Sequence, residues 1–242
     1  MPERKVGRLI AGKDGGDVMR LNIAMDGPVG AGKSSIADAA AKRLGILHLD
    51  TGAMYRALGL KALREGMDLQ DEEKMVELCR GLNLAVRVGA GGQETLLDGE
   101  DVSSLIRTPE VSMAASTVSR YAQVRRRMVQ LQQALAAEQD MILDGRDICT
   151  TVLPDAPVKI YLTATAEERA KRRWLEMKEK GEEDTYEEVL AQVRARDEQD
   201  MNRPVEPLRQ AEDAVLLDTT DLSFDQVVDR ITALAEEARR KG

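Results

Sequence analysis

One eight-residue segment near the amino end of the chain limits the possible folds more than any other feature. Gly27-Pro-Val-Gly-Ala-Gly-Lys-Ser34 matches the pattern G-x-x-x-x-G-K-[ST] at every fixed position. An apolar segment, Leu21 to Met25, precedes it, and a helix is predicted from Lys33 to Leu44. A strand, a glycine-rich turn and a helix in this order form a cradle for the phosphates of a nucleoside triphosphate. The segment therefore predicts an α/β fold that binds a nucleotide, without specifying the reaction.

The residue types of this segment, the phosphate cradle, suit the binding of phosphate. Glycines let the backbone approach phosphate oxygens and aim N–H groups at them, and the start of the helix adds partial positive charge. Lys33 is expected to reach the β- and γ-phosphates of ATP, and the Ser34 hydroxyl to bind Mg²⁺ together with the nucleotide. The predicted ATP-binding residues of the cradle are Gly27, Pro28, Val29, Gly30, Ala31, Gly32, Lys33, Ser34 and Ser35.

Beyond the cradle, short apolar segments alternate with segments of helical periodicity. A second strand is predicted to end at Asp50, and further strands at Met141 to Asp144, Val158 to Leu162 and Val215 to Asp218. Helices are predicted at Thr51 to Glu65 (with Thr51 or Gly52 near the N-cap), Glu72 to Leu82, Val111 to Ser119, Val124 to Glu138, Ala166 to Lys180, Tyr186 to Asp200 and Ser223 to Arg240. This alternation predicts a parallel sheet that helices cover on both faces.

Three parts of the chain depart from this alternation. Residues from about 80 to 105 hold short alternating segments, Leu84 to Val88 and Glu94 to Leu97, which predict an inserted antiparallel meander. Residues from about 165 to 200 contain two charged helices broken at Gly181 to Asp184, which we interpret as a helical lid. Residues 1–18 show no periodicity and are interpreted as a mobile leader before one domain over 19–242. Met19 directly precedes the first strand, and we hypothesise that it is the natural start.

Composition excludes several classes of protein. The formal net charge is -8 without a Lys/Arg-rich tract, which argues against a protein that coats nucleic acid. No apolar run approaches the length of a membrane span, and Cys79 and Cys149 form neither a disulfide framework nor a metal-ligand cluster. We expect a cytoplasmic monomer whose partners are small molecules, with no nucleic acid and no membrane.

Polar residues follow two further strands, where a parallel sheet binds its ligands. Asp50-Thr51 comes directly after the second strand, and Arg56 lies about one helical turn beyond Gly52. Asp144-Gly-Arg-Asp147 follows another buried strand and combines a cation with carboxylates, and Asp144 is a candidate to hold Mg²⁺ through water. The alternatives are a simple helix cap at Asp50-Thr51, a solvated Arg56 and structural salt bridges in the second segment.

Arginines are concentrated on the two predicted helices of the lid region and just beyond them. The candidate site residues among them are Arg169, Arg172, Arg173, Arg196 and Arg203. Because the planar guanidinium can hold phosphate oxygens bidentately, these residues are candidates for phosphate contacts, with Asp200 beside the last two. A solvated charged face is the alternative.

With these segments in place, the chain resembles the bacterial cytidylate kinases, which are nucleoside monophosphate kinases. The motifs that carry the resemblance are Gly27 to Ser34, Asp50-Thr-Gly-Ala-Met-Tyr-Arg56, Asp144-Gly-Arg-Asp147, Pro154-Asp-Ala-Pro-Val-Lys159, Arg196-Asp-Glu-Gln-Asp-Met-Asn-Arg203, Pro207 to Ala214 and Asp218-Thr-Thr220. The resemblance implies a P-loop, adenylate-kinase-like α/β fold: a parallel sheet flanked by helices, a small antiparallel insertion in the monophosphate-binding region and a helical lid.

The resemblance also implies a reaction, the ATP-dependent phosphorylation of CMP and of dCMP. The implied contacts to CMP are Thr51, Arg56, Ser116, Arg125, Arg146, Asp147, Asp200 and Arg203. The residues placed on the ATP and lid side are Arg169, Arg172, Arg173 and Arg196. Catalysis is assigned to Lys33, Asp144, Arg146 and Arg203.

Asp147 and Arg125 are expected to read the cytosine base. A carboxylate accepts from cytosine N4, and an arginine donates to N3 and O2, whereas uracil presents the opposite pattern at two of these positions. The alternative for Asp147 is that it only ties Arg146 in place.

A phosphate acceptor needs no base from the protein, because its second pKa lies near ~6 and it is largely dianionic at neutral pH. The single histidine, His48, is accordingly interpreted as structural. Two alternatives stay open: a kinase for another small acceptor, with Asp147 as base for a hydroxyl, and a regulatory nucleotide-binding module. More arginines occupy predicted cleft positions than ATP alone requires, which favours an enzyme: Arg56, Arg125, Arg146 and Arg203.

Overall fold

The computed structural model describes residues 20–89 and 92–241, with the backbone alone at Val88 and Gly89. The predicted leader, residues 1–18, and the predicted start at Met19 lie outside the described residues. Within them, the chain forms two compact units. We call residues 21–46 and 140–241 the cradle unit, because it contains the phosphate cradle, and residues 20 and 47–139 the insertion unit.

The predicted helices and strands are present, with ends displaced by at most two residues. In chain order they are β1 (Asn22–Asp26), α1 (Lys33–Leu44), β2 (Leu47–Asp50), α2 (Thr51–Arg64), α3 (Glu72–Arg80), β3 (Leu84–Gly89), β4 (Gly92–Leu97), β5 (Glu100–Asp101), α4 (Pro109–Val118), α5 (Ala122–Glu138), β6 (Met141–Gly145), β7 (Val158–Thr163), α6 (Ala166–Glu179), α7 (Tyr186–Asn202), β8 (Val215–Asp218) and α8 (Phe224–Lys241). In the described part of the chain, none of the helices is long and apolar enough to cross a membrane.

Four parallel strands form the sheet of the cradle unit, in the order β6-β1-β7-β8. Ile23 and Met25 of the central strand β1 are fully buried. Strands covered on both faces are apolar along their length, which explains the apolar residues Ile23 to Met25 of β1 and Met141 to Leu143 of β6. Ile36 of α1 and Ile231 of α8 contribute to the same core. Because the strands are parallel, their carboxyl ends share one edge, and the cradle begins there, at the end of β1.

The helix pair α6–α7 has a small core of its own. Ala170, Val189 and Val193 are buried in it, and the rings of Trp174 and Tyr186 meet edge-on with centroids 6.4 Å apart. Threonine side chains cap the N-terminus of both helices. These features confirm the two predicted helices; their movement as a lid stays a prediction.

The insertion unit contains the predicted antiparallel sheet, in the order β3-β4-β5. Asp98 and Gly99 form the turn between β4 and β5 with φ of 52 and 90, in the left-handed region that favours glycine and tolerates aspartate. The third strand, β5, was not predicted, because two charged residues carry no alternating apolar pattern.

Helices α2 and α4 approach each other closely within the insertion unit. Gly59 makes this approach possible, since a Cβ there would lie 3.0 Å from the backbone nitrogen of Ala115. The contact brings the Ser116 end of α4 against α2.

Candidate active site

The phosphate cradle joins β1 to α1 and requires glycine at its first position. Gly27 has φ of 153, and a Cβ there would lie 1.9 Å from the carbonyl oxygen of Leu162 in β7. Gly32 precedes α1 with φ of 83, also in the left-handed region. The phosphate cradle therefore packs closely against β7 at Gly27 and then continues into the first turn of α1.

Lys33 is held inside the cradle. Its Nζ donates to the carbonyl oxygens of Gly27 and Pro28 at 2.7 and 2.8 Å, and the residue is 6% exposed. Burial lowers the pKa of Lys33 to about 7, assisted by the charge of Arg146 and opposed by nearby carboxylates, of which Asp144 acts most strongly. The acceptors of the Lys33 ammonium are neutral carbonyl oxygens. Phosphate oxygens in their place would raise the pKa of Lys33 and stabilise its positive charge.

Ser34 and Asp144 lie together where α1 begins and β6 ends. The Ser34 hydroxyl donates to Asp144 Oδ2 at 2.9 Å. Ser34 and Ser35 are exposed, whereas Asp144 is 4% exposed. Hydroxyl and carboxylate oxygens are the hard donors that Mg²⁺ prefers, usually together with phosphate oxygens and water. The pair therefore fits the predicted magnesium site, although the described residues contain no group of three His, Cys, Asp or Glu side chains that could hold a metal.

Asp200 joins arginines from two separate motifs. It accepts from Arg146 Nε at 2.8 Å and from Arg196 Nε at 3.2 Å. Although burial opposes it, the charges of these two arginines lower the pKa of Asp200, so the carboxylate is ionised. Arg203 Nη2 lies 3.5 Å from Asp147 Oδ1. The segment after β6 and the end of α7 thus come together, as their predicted common role requires.

The arginines predicted on α6 differ in their surroundings. Arg169 is buried and donates to the carbonyl oxygens of Ala164 and Val29, each at 2.9 Å, and to both carboxylate oxygens of Asp197. Arg172 donates to Glu168 and Thr219, and Arg173 is exposed. Arg169 therefore braces the cradle against α6 and α7, and contacts of all three arginines with ATP stay a prediction.

Asp26, the last residue of β1, was missed by the sequence analysis. It is fully buried, and its Oδ1 and Oδ2 accept the backbone N–H groups of Ile148 and Cys149, each at 2.8 Å. Burial raises the pKa of Asp26 to about 6, although the two N–H groups lower it. The titratable groups within electrostatic reach of its carboxyl are Lys33, Arg146, Asp147, Cys149 and Tyr161. The signal available in the sequence was a charge at the end of an apolar strand.

We expect Asp26→Asn to become more stable relative to the wild type as the pH rises. The raised pKa means that folding favours the protonated carboxyl, so this contribution to stability is fully present below the ordinary pKa of 3.8 and lost as the pH passes 6. Asparagine does not titrate, and the difference in the free energy of unfolding should shift by up to about 3 kcal/mol between pH 4 and pH 7. Urea unfolding at both pH values measures it. A difference that does not depend on pH would show that Asp26 ionises as an exposed carboxyl does.

In the insertion unit, Asp50 organises the segment that contains Arg56. Asp50, rather than Thr51 or Gly52, caps α2: its side chain accepts from the backbone N–H of Ala53 at 3.0 Å and from Arg56 Nη2 at 2.6 Å. Within the described residues, Arg56 Nε is buried without a hydrogen-bond partner. Arg56 is therefore held in place while one donor remains open, as a predicted phosphate contact requires.

The other predicted CMP contacts of the insertion unit are buried. Arg125 is 2% exposed, donates to the carbonyl oxygen of Ser119 at 3.3 Å, and its guanidinium carbon lies 5.7 Å from the centroid of the Tyr55 ring. Thr51 and Ser116 are also buried. The roles of these three side chains in binding CMP stay predictions.

Comparison with known proteins identifies the family. A family model described as cytidylate kinase matches residues 23–237. The chain belongs to the cytidylate kinase family. It is 52% identical to the cytidylate kinase of Caldicellulosiruptor saccharolyticus over 215 residues. These aligned residues cover 89% of this chain and 95% of that protein. It is also 46% identical over 222 residues to the cytidylate kinase of Bacillus cytotoxicus, with coverage of 92% and 99%.

Membership of the cytidylate kinase family confirms the resemblance seen in the sequence and makes the chain a kinase. The matched region contains the cradle, the Asp144 to Asp147 motif and the end of α7. The role of each side chain in the reaction stays a prediction.

Proposed function

We propose that the protein transfers the γ-phosphoryl group of ATP to CMP, and to dCMP, by direct in-line displacement. The main support is the cradle unit, where Lys33 and the Ser34–Asp144 pair lie within electrostatic reach of Arg146, which donates to Asp200. The relatives named cytidylate kinase support the choice of acceptor.

On the donor side, the cradle and Lys33 bind the phosphates of ATP. Backbone N–H groups at the start of α1 and the Lys33 ammonium favour negative charge there. Lys33 exchanges its carbonyl partners for β- and γ-phosphate oxygens. Ser34, with Asp144 beside it, would hold Mg²⁺, which neutralises charge on the nucleotide when bound.

On the acceptor side, the nucleophile is an oxygen of the CMP phosphate. This group is largely dianionic at neutral pH, so no protein base is needed to generate it. The chemical obstacle is repulsion between two anions. Arg56, Arg146 and Arg203 offset this repulsion and stabilise the charge that spreads over the transferring group in the transition state.

Buried side chains select the base. Arg125 donates to N3 and O2 of cytosine, and Asp147 accepts from N4. Thr51, Ser116 and Asp200 complete the contacts to CMP. We expect the enzyme to act as a cytoplasmic monomer on small nucleotides.

A panel of acceptors tests the proposal. With ATP and Mg²⁺, a coupled assay should give the highest kcat/KM for CMP and dCMP and much lower values for UMP and AMP. Higher values for AMP or for a hydroxyl acceptor would identify a kinase of different specificity. ATP hydrolysis without transfer to any monophosphate would reject the proposal.

His48→Gln should change kcat by less than about threefold, because the phosphate nucleophile ionises without a base. The assay is turnover with saturating CMP and ATP at pH 7.5, with the fold checked by circular dichroism. If kcat fell by orders of magnitude in a folded variant, the base-free mechanism would be wrong.

A further inference from the structure

We propose that Asp26 is a positioning residue, which holds the backbone turn after Arg146 and Asp147 in place against the end of β1, where the phosphate cradle begins. The inference rests on the proposed transfer to CMP and deepens it, because it links the residue before the phosphate cradle to the turn that directly follows the base-reading carboxylate.

Asp26 occupies a junction between three parts of the cradle unit. Its backbone pairs in the sheet opposite Gly145 of β6. The next residue, Gly27, opens the cradle. The Asp26 carboxylate accepts the N–H groups of Ile148 and Cys149, which are more than 120 residues away in sequence, at 2.8 Å. One side chain therefore connects the donor loop with the segment that follows Asp147.

The segment held by Asp26 is a π-helical turn, Ile148–Val152. Inside it, the N–H groups of Thr151 and Val152 donate to the carbonyl oxygen of Asp147 at 2.9 and 3.1 Å. The first donors of a helical turn have no acceptor within the turn. Asp26 supplies both acceptors from another strand. Asp147, with φ of -144 and ψ of 24, immediately precedes the turn, so its orientation depends on where the turn is fixed.

Both oxygens of a carboxylate accept hydrogen bonds, which makes aspartate the suitable residue here. Asparagine would accept one N–H and turn its own donor toward the other. A buried carboxylate is also unfavourable next to the buried apolar residues Ile23, Ala24 and Met25 of the same strand. Residue 26 thus needs an acidic side chain for the turn rather than for the packing of β1.

The test compares Asp26→Asn with Asp140→Asn. Asp140 accepts the Leu21 N–H at 3.0 Å, at the opposite ends of the same two strands, so it is a matched control. In Asp26→Asn, the ratio of kcat/KM for CMP over UMP should fall by about fivefold or more, because a shifted turn misplaces Asp147. Amide hydrogen exchange over residues 147–153 should become faster. In Asp140→Asn, neither quantity should change, even if the melting temperature falls.

The outcomes test the positioning role of Asp26 separately from the proposed phosphorylation of CMP. A reduced ratio together with faster exchange supports the inference, and an unchanged value of either quantity overturns it. If the wild type does not use CMP, the proposed function fails, and the exchange measurement alone still decides whether Asp26 holds the turn. If Asp26→Asn does not fold, Asp26→Ser, which also removes the charge and one acceptor, is measured in the same way.

Discussion

Lys33→Met should reduce kcat by at least about a hundredfold and leave the protein folded. Lys33 contributes its charge to the transferring phosphate oxygens, whereas its partners in the free protein are two carbonyl oxygens of its own loop. Methionine fills a similar volume without a charge, so the loss should appear in catalysis more than in folding. Turnover with saturating ATP and CMP, together with a thermal melt, separates the two effects.

Lys42→Met is the matched control for this prediction. Lys42 lies on the same helix, is exposed, and forms an ion pair with Asp38 one turn away. Such exposed pairs contribute little to stability, and the residue has no place in the cradle. Its replacement should leave kcat within about twofold of the wild type. If Lys33→Met loses less than about tenfold relative to this control, the assignment of the cradle is wrong.

The alternation of strands and helices was predictable because it depends on local patterns. Ile23 to Met25 of β1 and Met141 to Leu143 of β6 are apolar and buried, as expected of strands covered on both faces, and a glycine-rich turn before a helix has a recognisable spacing. These two signals located the cradle and the carboxyl ends of the strands correctly. Lys33, Ser34 and Asp144 lie at these positions, and their roles in binding and catalysis stay predictions.

Pairings between distant side chains were not predictable in this way. Arg169 and Asp197 are separated by 28 residues, and Asp26 and Ile148 by 122. A charge pattern shows that such residues are unusual, but their partners depend on how strands and helices pack. The contacts by which Arg169 connects the cradle to α7 could therefore be seen only in the folded structure.

Asp147 is a further case in which the partner differs from expectation. The alternative to base reading was that Asp147 ties Arg146; Arg146 donates to Asp200, and a charged neighbour of Asp147 is Arg203, whose Nη2 lies 3.5 Å from Oδ1. The assignment of Asp147 to the base therefore stays a prediction.

Asp147→Asn should lower the ratio of kcat/KM for CMP over UMP by at least about tenfold. Cytosine N4 is a donor and suits a carboxylate, whereas uracil O4 presents lone pairs that a carboxylate repels. Asparagine can present either its oxygen or its amide group, so the variant should accept both bases poorly and discriminate less. The measurement is kcat/KM for each acceptor at saturating ATP, in wild type and variant.

Asp200→Asn separates base reading from the positioning of arginines. Asp200 is another buried carboxylate of the cradle unit, and it holds Arg146 and Arg196. Because these arginines are expected to act on phosphate, its replacement should lower kcat/KM for CMP and UMP by similar factors and leave their ratio nearly unchanged. If Asp147→Asn also leaves the ratio unchanged, Asp147 serves only to hold Arg203, and another group must distinguish cytosine from uracil.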